Sequence, residues 1–600
     1  MSAAVAVGTP EPQHEPWEGP FIVDGDAPDY LGADAPPDEL PTIEIRAAEL
    51  PRIVRETIRA LGEGDANLYQ RAGQLVRVVR EPERREEYET DRRVGTDILT
   101  RPGTPRLRGV STGVLTLRAA MVANWVRFDA RKGKGKAGER GGELVPADPC
   151  RRTIETIASL EDWPGIRPIR GIIETPCLAP SGRIVQAPGY DDETGYVLLP
   201  SCNVGPIDHA PTRQHARAAL QYLWIEMACD FPFRGMSEPS ANDPERVLQY
   251  AKALGIPDAF VGIASLLTIF ARPGVLGAVP GGLFEAAGQG SGKSLQMHTI
   301  AMIATSRAAG VATFPVRDGR PNEEELEKIL AGYALSGARI IAFDNIRGLL
   351  AGGNLEKALT AEDTIDLRVL GSNDQKSMPW PAVMLFSGNN MVMSDDVAQR
   401  VLVARIESPR EDPRSRPSST YRHPELLAAV KARRARLVRA ALVILRAYLA
   451  ARDAGEDVPV FSRGSFEAWA RIVPGAIAWA GGPNVLQAFP EAGRGGDEEG
   501  EAFATLLRYW REDWNGQRSS TIVSAIFDGE RDKEGPPDGL ADARAAVRSL
   551  TKTRERDTPS AHAFGMRLRQ FRGKIRDGLR LEMGRDGDSK VSTYSVTRLS

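Results

Sequence analysis

The sequence predicts an α/β fold, and three segments carry that prediction. A short apolar run, a glycine-rich loop and an apolar-periodic helix follow one another in AVPGGLFEAAGQGSGKSLQMHTIAMIA (278–304). Two further apolar runs of strand length end in polar side chains, ARIIAFDN (338–345) and PAVMLFSGNN (381–390). Buried strands that alternate with helices are typical of α/β proteins.

The composition is that of an ordinary globular protein. The chain has 600 residues, of which 42% are hydrophobic and 26% charged. This length exceeds one typical core, so we expect roughly three or four structural units. The formal net charge is −3, so any surface that binds nucleic acid must be a local patch.

Cysteine spacing and the N-terminal sequence argue against several protein classes. The four cysteines form no CxxC pair and have no histidine at ligand spacing beside them, so neither a zinc site nor a disulfide framework is expected. The N-terminus has no basic n-region, and no window approaches the roughly 20 apolar residues of a membrane span. We therefore expect a cytoplasmic protein without a membrane partner.

The glycine-rich loop matches a phosphate-binding pattern in which Ala287 is followed by four variable positions and then Gly-Lys-Ser. Glycines let backbone N–H groups turn toward phosphate oxygens, and the helix N-terminus adds its positive dipole end. Lys293 is predicted to reach the β- and γ-phosphates of ATP, and Ser294 to ligate Mg²⁺. The predicted nucleotide-binding residues are Gly288, Gln289, Gly290, Ser291, Gly292, Lys293 and Ser294.

Polar side chains at the ends of the other two strands extend the predicted site. Asp344 ends an apolar strand at the sheet edge where the second magnesium-binding group of such a site lies. Asn389 ends the next strand, where it would orient the attacking water or sense the γ-phosphate. The alternative for Asn389 is a strand cap that enters a turn.

Two arginines flank the apolar run in DVAQRVLVARIES (396–408). An arginine at this place can reach the γ-phosphate held by a neighbouring subunit and stabilise transition-state charge. Arg400 is favoured over Arg405 for this role. The alternative is a surface arginine without a role.

Composition and periodicity divide the chain into five predicted regions. The N-terminal stretch is rich in proline and acid and has no Lys or Arg before Arg46, so it is predicted to be disordered. The regions are a disordered tail (1–45), an α+β N-terminal region (46–240), a P-loop ATPase core with preceding helices (241–408), a linker and helical domain (409–500) and a winged-helix-like domain (501–600).

Four elements carry a family resemblance: the glycine-rich loop, the strand with Asp344, the strand with Asn389 and the apolar run after Arg400. Together with the segments around them, they resemble the helicase half of phage- and plasmid-borne primase–helicases, including the poxvirus-type relatives. That family belongs to the superfamily 3 helicases of the AAA+ class. The resemblance covers about residues 145–490 and includes PIRGIIETPCLAPSGRIVQAPGYDDETGYVL (168–198) and GSFEAWARIVPGAIAWAGGPN (464–484). It implies an AAA+ core and a homo-hexamer that encircles DNA, with ATP between adjacent subunits.

The resemblance also implies a β-hairpin that points a basic residue into the central pore. The segment TIDLRVLGSNDQKSMPWPAV (364–383) has that layout, with two short strands around a turn at 372–375. Lys376 is the first pore candidate and Arg368 the second. The alternative is a hairpin that only packs.

The chain departs from the family pattern in two respects. Asn345 is one of the predicted catalytic residues, and it occupies the position where many AAA+ proteins carry a glutamate. An amide cannot act as a general base. Before residue 145 we find no primase constellation of clustered acids or zinc ligands. A separate primase or replication protein is therefore a predicted partner.

The C-terminal segment 561–600 reads as a helix followed by a two-stranded wing. It contains nine basic and four acidic residues, a local net charge of +5. A basic helix with a wing is a common DNA-binding arrangement, although such domains also contact proteins. The predicted packing residues are Phe564, Met566, Leu568, Phe571 and Ile575, and the predicted DNA contacts are Arg567, Arg569, Arg572, Lys574 and Arg576.

The sequence thus predicts an ATP-driven, Mg²⁺-dependent helicase or translocase on single-stranded or forked DNA, which serves replication of a phage, plasmid or other mobile element. One alternative is a nucleotide-switched DNA-binding initiator or loader that hydrolyses ATP slowly because of Asn345. A further alternative is a P-loop signalling or defence ATPase without a DNA partner. The hairpin around Lys376 and the basic C-terminal helix favour the first two.

Overall fold

The structure, a computed structural model, describes residues 40–80, 105–130, 142–238, 243–317, 319–368, 375–490, 498–527, 540–554, 556–585 and 592–598. The chain forms two compact units. The first comprises the described residues up to Arg347 together with Gly352–Asn390 and Arg400–Ala488. The second comprises Gly348–Ala351, Met391–Gln399 and the described residues from Phe489 onward.

Helices and strands alternate along much of the described chain. The helices are α1 (Leu50–Gly64), α2 (Thr112–Met121), α3 (Arg151–Ala158), α4 (Arg213–Met227), α5 (Asp243–Ala253), α6 (Val261–Ala271), α7 (Lys293–Thr305), α8 (Glu323–Ser336), α9 (Gly353–Thr360), α10 (Asp395–Ala398), α11 (Leu426–Ala432), α12 (Arg434–Asp453), α13 (Glu467–Ala470), α14 (Val473–Trp479), α15 (Glu498–Arg508), α16 (Ser519–Phe527), α17 (Ala541–Thr551) and α18 (Ala561–Gln570). The strands are β1 (Thr42–Ile45), β2 (Tyr69–Arg71), β3 (Gln74–Arg80), β4 (Pro105–Gly109), β5 (Asn124–Asp129), β6 (Glu143–Pro146), β7 (Gly171–Ile173), β8 (Cys177–Leu178), β9 (Ile184–Val185), β10 (Gly189–Asp191), β11 (Tyr196–Leu198), β12 (Gly281–Ala286), β13 (Val311–Ala312), β14 (Val316–Arg317), β15 (Arg320–Pro321), β16 (Ile340–Ile346), β17 (Leu349–Leu350), β18 (Thr364–Arg368), β19 (Gln375–Pro379), β20 (Val383–Asn389), β21 (Val392–Met393), β22 (Val401–Ile406), β23 (Gln517–Arg518), β24 (Ile575–Arg576), β25 (Leu579–Arg585) and β26 (Ser592–Arg598).

The first unit is built on a five-stranded parallel sheet with the order β13-β16-β20-β12-β22. Phe284, Phe343 and Phe386 are fully buried on its central strands, and Phe343 stacks on Phe386 with ring centroids 6.0 Å apart. Burial on both faces is typical of parallel sheets covered by helices. The predicted α/β fold is confirmed, and β20 lies between β12 and β16.

Apolar helices cover this sheet and explain its burial. Every residue of α6 is buried, and a Cβ added to Gly282 of β12 would lie 2.4 Å from the Ser265 hydroxyl oxygen of α6. Trp469 donates its indole N–H to the Thr268 hydroxyl (2.8 Å), which ties the short helix α13 to α6. The close approach of helix and strand therefore depends on a glycine within the sheet.

The N-terminal part of the first unit contains two smaller sheets, β1-β5-β6 and β2-β3-β4. Helix α1 follows β1, and β2 pairs with β3 as an antiparallel hairpin. Strand β1 pairs in parallel with β5 and buries Ile43, so the ordered structure begins within the predicted tail. Residues 1–39 and the basic segment 131–141 lie outside the described residues.

Buried charges anchor the segment 408–423, which overlaps the start of the predicted linker and helical domain (409–500). The Asp230 carboxylate pairs with Arg246 (2.6 Å) and accepts the Arg422 backbone N–H (2.9 Å). The Arg416 guanidinium donates to the Asp230 carbonyl oxygen (2.5 Å). Because buried Asp–Arg contacts are costly to break, this segment follows a fixed course over the first unit.

The second unit combines helices α15–α18 with an antiparallel sheet of the order β23-β26-β25-β24. The two predicted wing strands correspond to β25 and β26, and the helix before them to α18. Phe503 and Phe571 stack in the core, with ring centroids 4.3 Å apart.

One predicted packing residue of α18 is wrong. Phe564, Leu568 and Phe571 are buried on one face of the helix, whereas Met566 is 46% exposed. Residues 564, 568 and 571 follow the helical spacing of four and three, and residue 566 lies on the opposite side. The side chain of Ile575 is outside the described part of the chain.

No single described helix is long and apolar enough to span a membrane. The segments Arg246–Ala253 and Pro257–Gly274 together meet the length and composition criteria, but they are bent by 110° where they join.

Candidate nucleotide-binding site

The glycine-rich loop lies between the buried strand β12 and helix α7, as the sequence predicts. Gly290 and Gly292 have positive φ values of 78° and 91°, which glycine adopts without the strain a side chain would bring. A Cβ added to Gly292 would also lie 2.7 Å from the Phe231 ring. The loop conformation therefore requires glycine at 292 for two independent reasons.

Lys293 begins α7 and folds back over the loop. Its Nζ donates to the Gly288 carbonyl oxygen (2.8 Å) and to the Ser291 hydroxyl (3.1 Å). Burial lowers the pKa of the Lys293 ammonium, and the Asp344 carboxylate opposes that shift. An ammonium group held at the centre of a loop at a helix N-terminus is suited to a phosphate ligand.

Ser294 connects the loop to a different strand. Its hydroxyl donates to Asp344 Oδ1 at 2.7 Å, although the two residues are 50 positions apart in the chain. Asp344 lies near the carboxyl end of β16, whose neighbour β20 separates it from β12. The hydroxyl and carboxylate predicted to bind magnesium are thus adjacent.

Ser387 is a site residue that sequence reasoning missed. It is fully buried on β20, and its hydroxyl donates to Asp344 Oδ1, as does the Asn345 backbone N–H (2.8 Å). The pairing of β16 with β20 shifts register between Phe343 and Ile346, and Asn345 adopts a φ of 52°. This bulge turns the Asn345 N–H toward the carboxylate of Asp344. The only sequence signal for Ser387 is its place two residues before Asn389.

Asn389 ends β20, between the strands that carry the loop and Asp344. Its Oδ1 is buried and has no hydrogen-bond partner among the described residues. Buried amide oxygens in folded proteins normally accept a hydrogen bond. This oxygen therefore fits a donor that the described residues do not supply, such as a water molecule next to a bound phosphate.

The donor set fits a magnesium-bound nucleoside triphosphate. The loop offers an ammonium group and a helix N-terminus to phosphate oxygens, while the Ser294 hydroxyl and the Asp344 carboxylate offer the oxygen ligands that Mg²⁺ prefers. Gln289 lies in the same loop. Asn345 is exposed and supplies its backbone rather than a carboxylate.

The two candidate arginines at the ends of β22 lie at different edges of the sheet. The Arg400 carbonyl oxygen accepts the N–H of Gly281, the first residue of β12, so Arg400 lies at the amino edge. From the usual rise per residue of a β-strand, Arg400 lies about 20 Å along the strand from the carboxyl edge, which carries the loop. Arg405 is near that edge but is 3.6 Å from Glu285 and 3.8 Å from Asp258.

The predicted hairpin forms between β18 and β19, and its register separates its two basic residues. Lys376 pairs with the buried Leu367 and is half-buried, whereas Arg368 pairs with Gln375 and is exposed. Directly paired residues share a face of the hairpin. Arg368 therefore lies on the outer face. The tip, residues 369–374, is not described.

The basic residues of the C-terminal module fall into two groups. Arg567 Nε donates to the Leu550 carbonyl oxygen (2.7 Å), and Arg576 is 3.3 Å from Asp395 within the second unit. The exposed residues of the predicted set are Arg569, Arg572 and Lys574.

Comparison with protein-family models and with curated proteins gives no match. Among solved structures, the chain is similar to the apo A form of the NrS-1 C-terminal region. The identity is 9%, the TM-score is 0.28, and the match covers 76% of this chain and 92% of that chain. A likeness at this TM-score does not establish a shared fold.

Replacing Gly292 by alanine should destabilise the nucleotide-free protein by about 2 kcal/mol, because positive φ and the Phe231 contact both oppose a methyl group. The matched control is Gly288→Ala, since an added Cβ there meets no atom within 4 Å. Urea denaturation of both variants measures the difference. Equal stability of the two variants would contradict the described loop geometry.

Proposed function

We propose that this chain is an ATP-dependent DNA helicase or translocase that acts as a ring in the replication of a phage, plasmid or integrated mobile element. The observation that carries the ATPase part is the 2.7 Å contact between Ser294 and Asp344. It unites a phosphate-binding loop with a carboxylate from a separate strand. That combination is what P-loop ATPases use to hold magnesium and phosphate together.

Each residue of the site has a role in this proposal. Lys293 and the loop N–H groups bind phosphate oxygens, and Ser294 and Asp344 hold Mg²⁺. When bound, Mg²⁺ neutralises charge on the phosphates during transfer. Ser387 positions the Asp344 carboxylate through the hydrogen bond between them. Asn389 orients the attacking water through its amide oxygen, which has no hydrogen-bond partner among the described residues.

The ring assembly is supported by the place of Arg400. An arginine at the amino edge of the sheet is remote from the loop of its own chain, but a neighbouring subunit could present it to a bound nucleotide. The site would then be completed between two copies of the chain. The proposed ring has six subunits, the number that the resemblance to superfamily 3 helicases implies.

DNA binding is supported by two separate basic features. Arg368 projects from the outer face of the β18–β19 hairpin in the first unit. Arg569, Arg572 and Lys574 are exposed in the second unit and form a C-terminal basic patch. Contacts of this kind bind the phosphate backbone without reading sequence, so affinity should fall steeply with salt.

A second candidate function is a nucleotide-switched DNA-binding initiator or loader, and Asn345 is the observation that favours it. The side chain at this position is an amide, and the backbone N–H of the residue is committed to Asp344. An amide cannot remove a proton from water. In that case the chain binds ATP at the same site and hydrolyses it slowly.

Steady-state ATP hydrolysis should rise with single-stranded DNA, and Lys293→Ala should reduce turnover about 100-fold or more because the phosphates lose their lysine contact. Lys328→Ala is the matched control, since Lys328 pairs with Glu324 on α8. Unchanged turnover in Lys293→Ala would refute the site. Tight ATP binding with negligible turnover in the wild type would favour the loader.

Arg368→Ala should reduce DNA affinity and the salt dependence of binding more than Lys376→Ala does. The reason is that Arg368 is exposed on the outer face of the hairpin while Lys376 faces its packed side. Losing one phosphate contact should lower the slope of log K against log salt by about one. Fluorescence anisotropy with single-stranded DNA at several salt concentrations measures both variants. A larger effect at Lys376 would reverse the assignment.

A further inference from the structure

The segment 408–423 returns to the phosphate loop after leaving β22. Its Arg414 side chain lies directly over Gly290 at the centre of the loop. A Cβ added to Gly290 would lie 2.7 Å from Arg414 Cγ and 3.0 Å from its Nε. The stem and the start of the guanidinium group therefore contact the loop backbone from the same chain.

Arg414 is exposed, and no hydrogen bond or ion pair engages its guanidinium in the part of the chain that the structure describes. Other arginines near the site have acidic partners. Arg405 lies between Glu285 and Asp258, and Arg410 pairs with Glu238 at 2.8 Å. Arg414 thus contributes a positive charge that no described acid neutralises.

The backbone of Arg414 is held in place, although its guanidinium group is not. Asp412 Oδ1 accepts the Arg414 N–H (3.0 Å) and caps the short turn Pro413–Ser415. Two residues further on, Arg416 is buried and bonded to the Asp230 carbonyl oxygen. A long side chain on a fixed backbone loses little freedom beyond its own rotamers when it binds a ligand.

We propose that Arg414 is a second cationic ligand of the nucleotide phosphates, supplied in cis by the segment after β22. This inference rests on the proposed nucleotide site. A nucleoside triphosphate carries several negative charges, and Lys293 is the one basic side chain within the loop itself. A guanidinium group beside the loop adds charge-assisted hydrogen bonds to phosphate oxygens.

The proposed ligand class is a nucleoside di- or triphosphate, recognised by its phosphates rather than by its base. The Arg414 contact is with the phosphate-binding part of the loop, and the loop backbone is the same for every base. Arg414 differs in this respect from Arg400, which lies at the opposite edge of the sheet and is proposed to act on a neighbouring subunit.

Calorimetric titration of the full-length protein with ATP and with ADP, in the presence of Mg²⁺, tests the proposal. Arg414→Gln keeps the stem over Gly290 and removes the charge, so ATP affinity should fall about tenfold. Arg414→Lys keeps a positive charge but loses the planar guanidinium donors, so its ATP affinity should lie between those of the wild type and Arg414→Gln. Arg410→Ala, in the same segment, is the matched control and should bind as the wild type does.

The proposal is overturned if Arg414→Gln binds ATP as tightly as Arg410→Ala does. It is also overturned if Arg414→Lys loses as much affinity as Arg414→Gln, since the charge would then be irrelevant. Lys293→Ala separates this outcome from failure of the site. If Lys293→Ala loses ATP binding while Arg414→Gln keeps it, only the role of Arg414 is wrong; if both variants bind normally, the nucleotide site itself is wrong.

Discussion

The hydrogen bond from Ser294 to Asp344 is the contact on which the rest of the site depends. It joins the first turn of α7 to the end of β16, across the intervening strand β20. Because β20 lies between them, Ser387 also reaches the same carboxylate oxygen, and Asn389 ends the strand that carries Ser387. The strand order thus brings three separate chain segments to one oxygen atom, which is how the carboxyl edge of a parallel sheet comes to hold a ligand.

Much of this arrangement could be predicted from the sequence, because it depends on local patterns. Apolar runs that end in polar residues marked β16 and β20, and the glycine spacing marked the loop. Contacts between distant segments could not be predicted. Phe231 and Arg414 touch the loop from 61 and 124 positions away from Gly292 and Gly290, and neither has a local signal. The assignment of Met566 to the packed face is wrong because it lies two residues from Phe564, on the opposite side of the helix.

Arginine residues in this protein are of two kinds: buried ones that hold segments of the fold together, and exposed ones that are proposed to bind ligands. The position of an arginine in the sequence does not tell the two kinds apart. Arg246 and Arg416 are buried and fix the segment after β22, and Arg567 ties two helices of the second unit together. Arg368 and Arg414 are exposed. An arginine whose guanidinium group is bonded within the fold is less available to bind a ligand. The register of a hairpin and the course of a segment decide which purpose applies, and both are properties of the tertiary structure.

The central claim is that Ser294 and Asp344 form a magnesium site beside a phosphate-binding loop. Calorimetric titration of ATP with and without Mg²⁺, in the wild type and in Asp344→Asn, tests it most directly. Mg²⁺ should strengthen ATP binding in the wild type and have a much smaller effect in Asp344→Asn, because a neutral amide is a weaker ligand for the ion. Equal strengthening by Mg²⁺ in both proteins would contradict the claim.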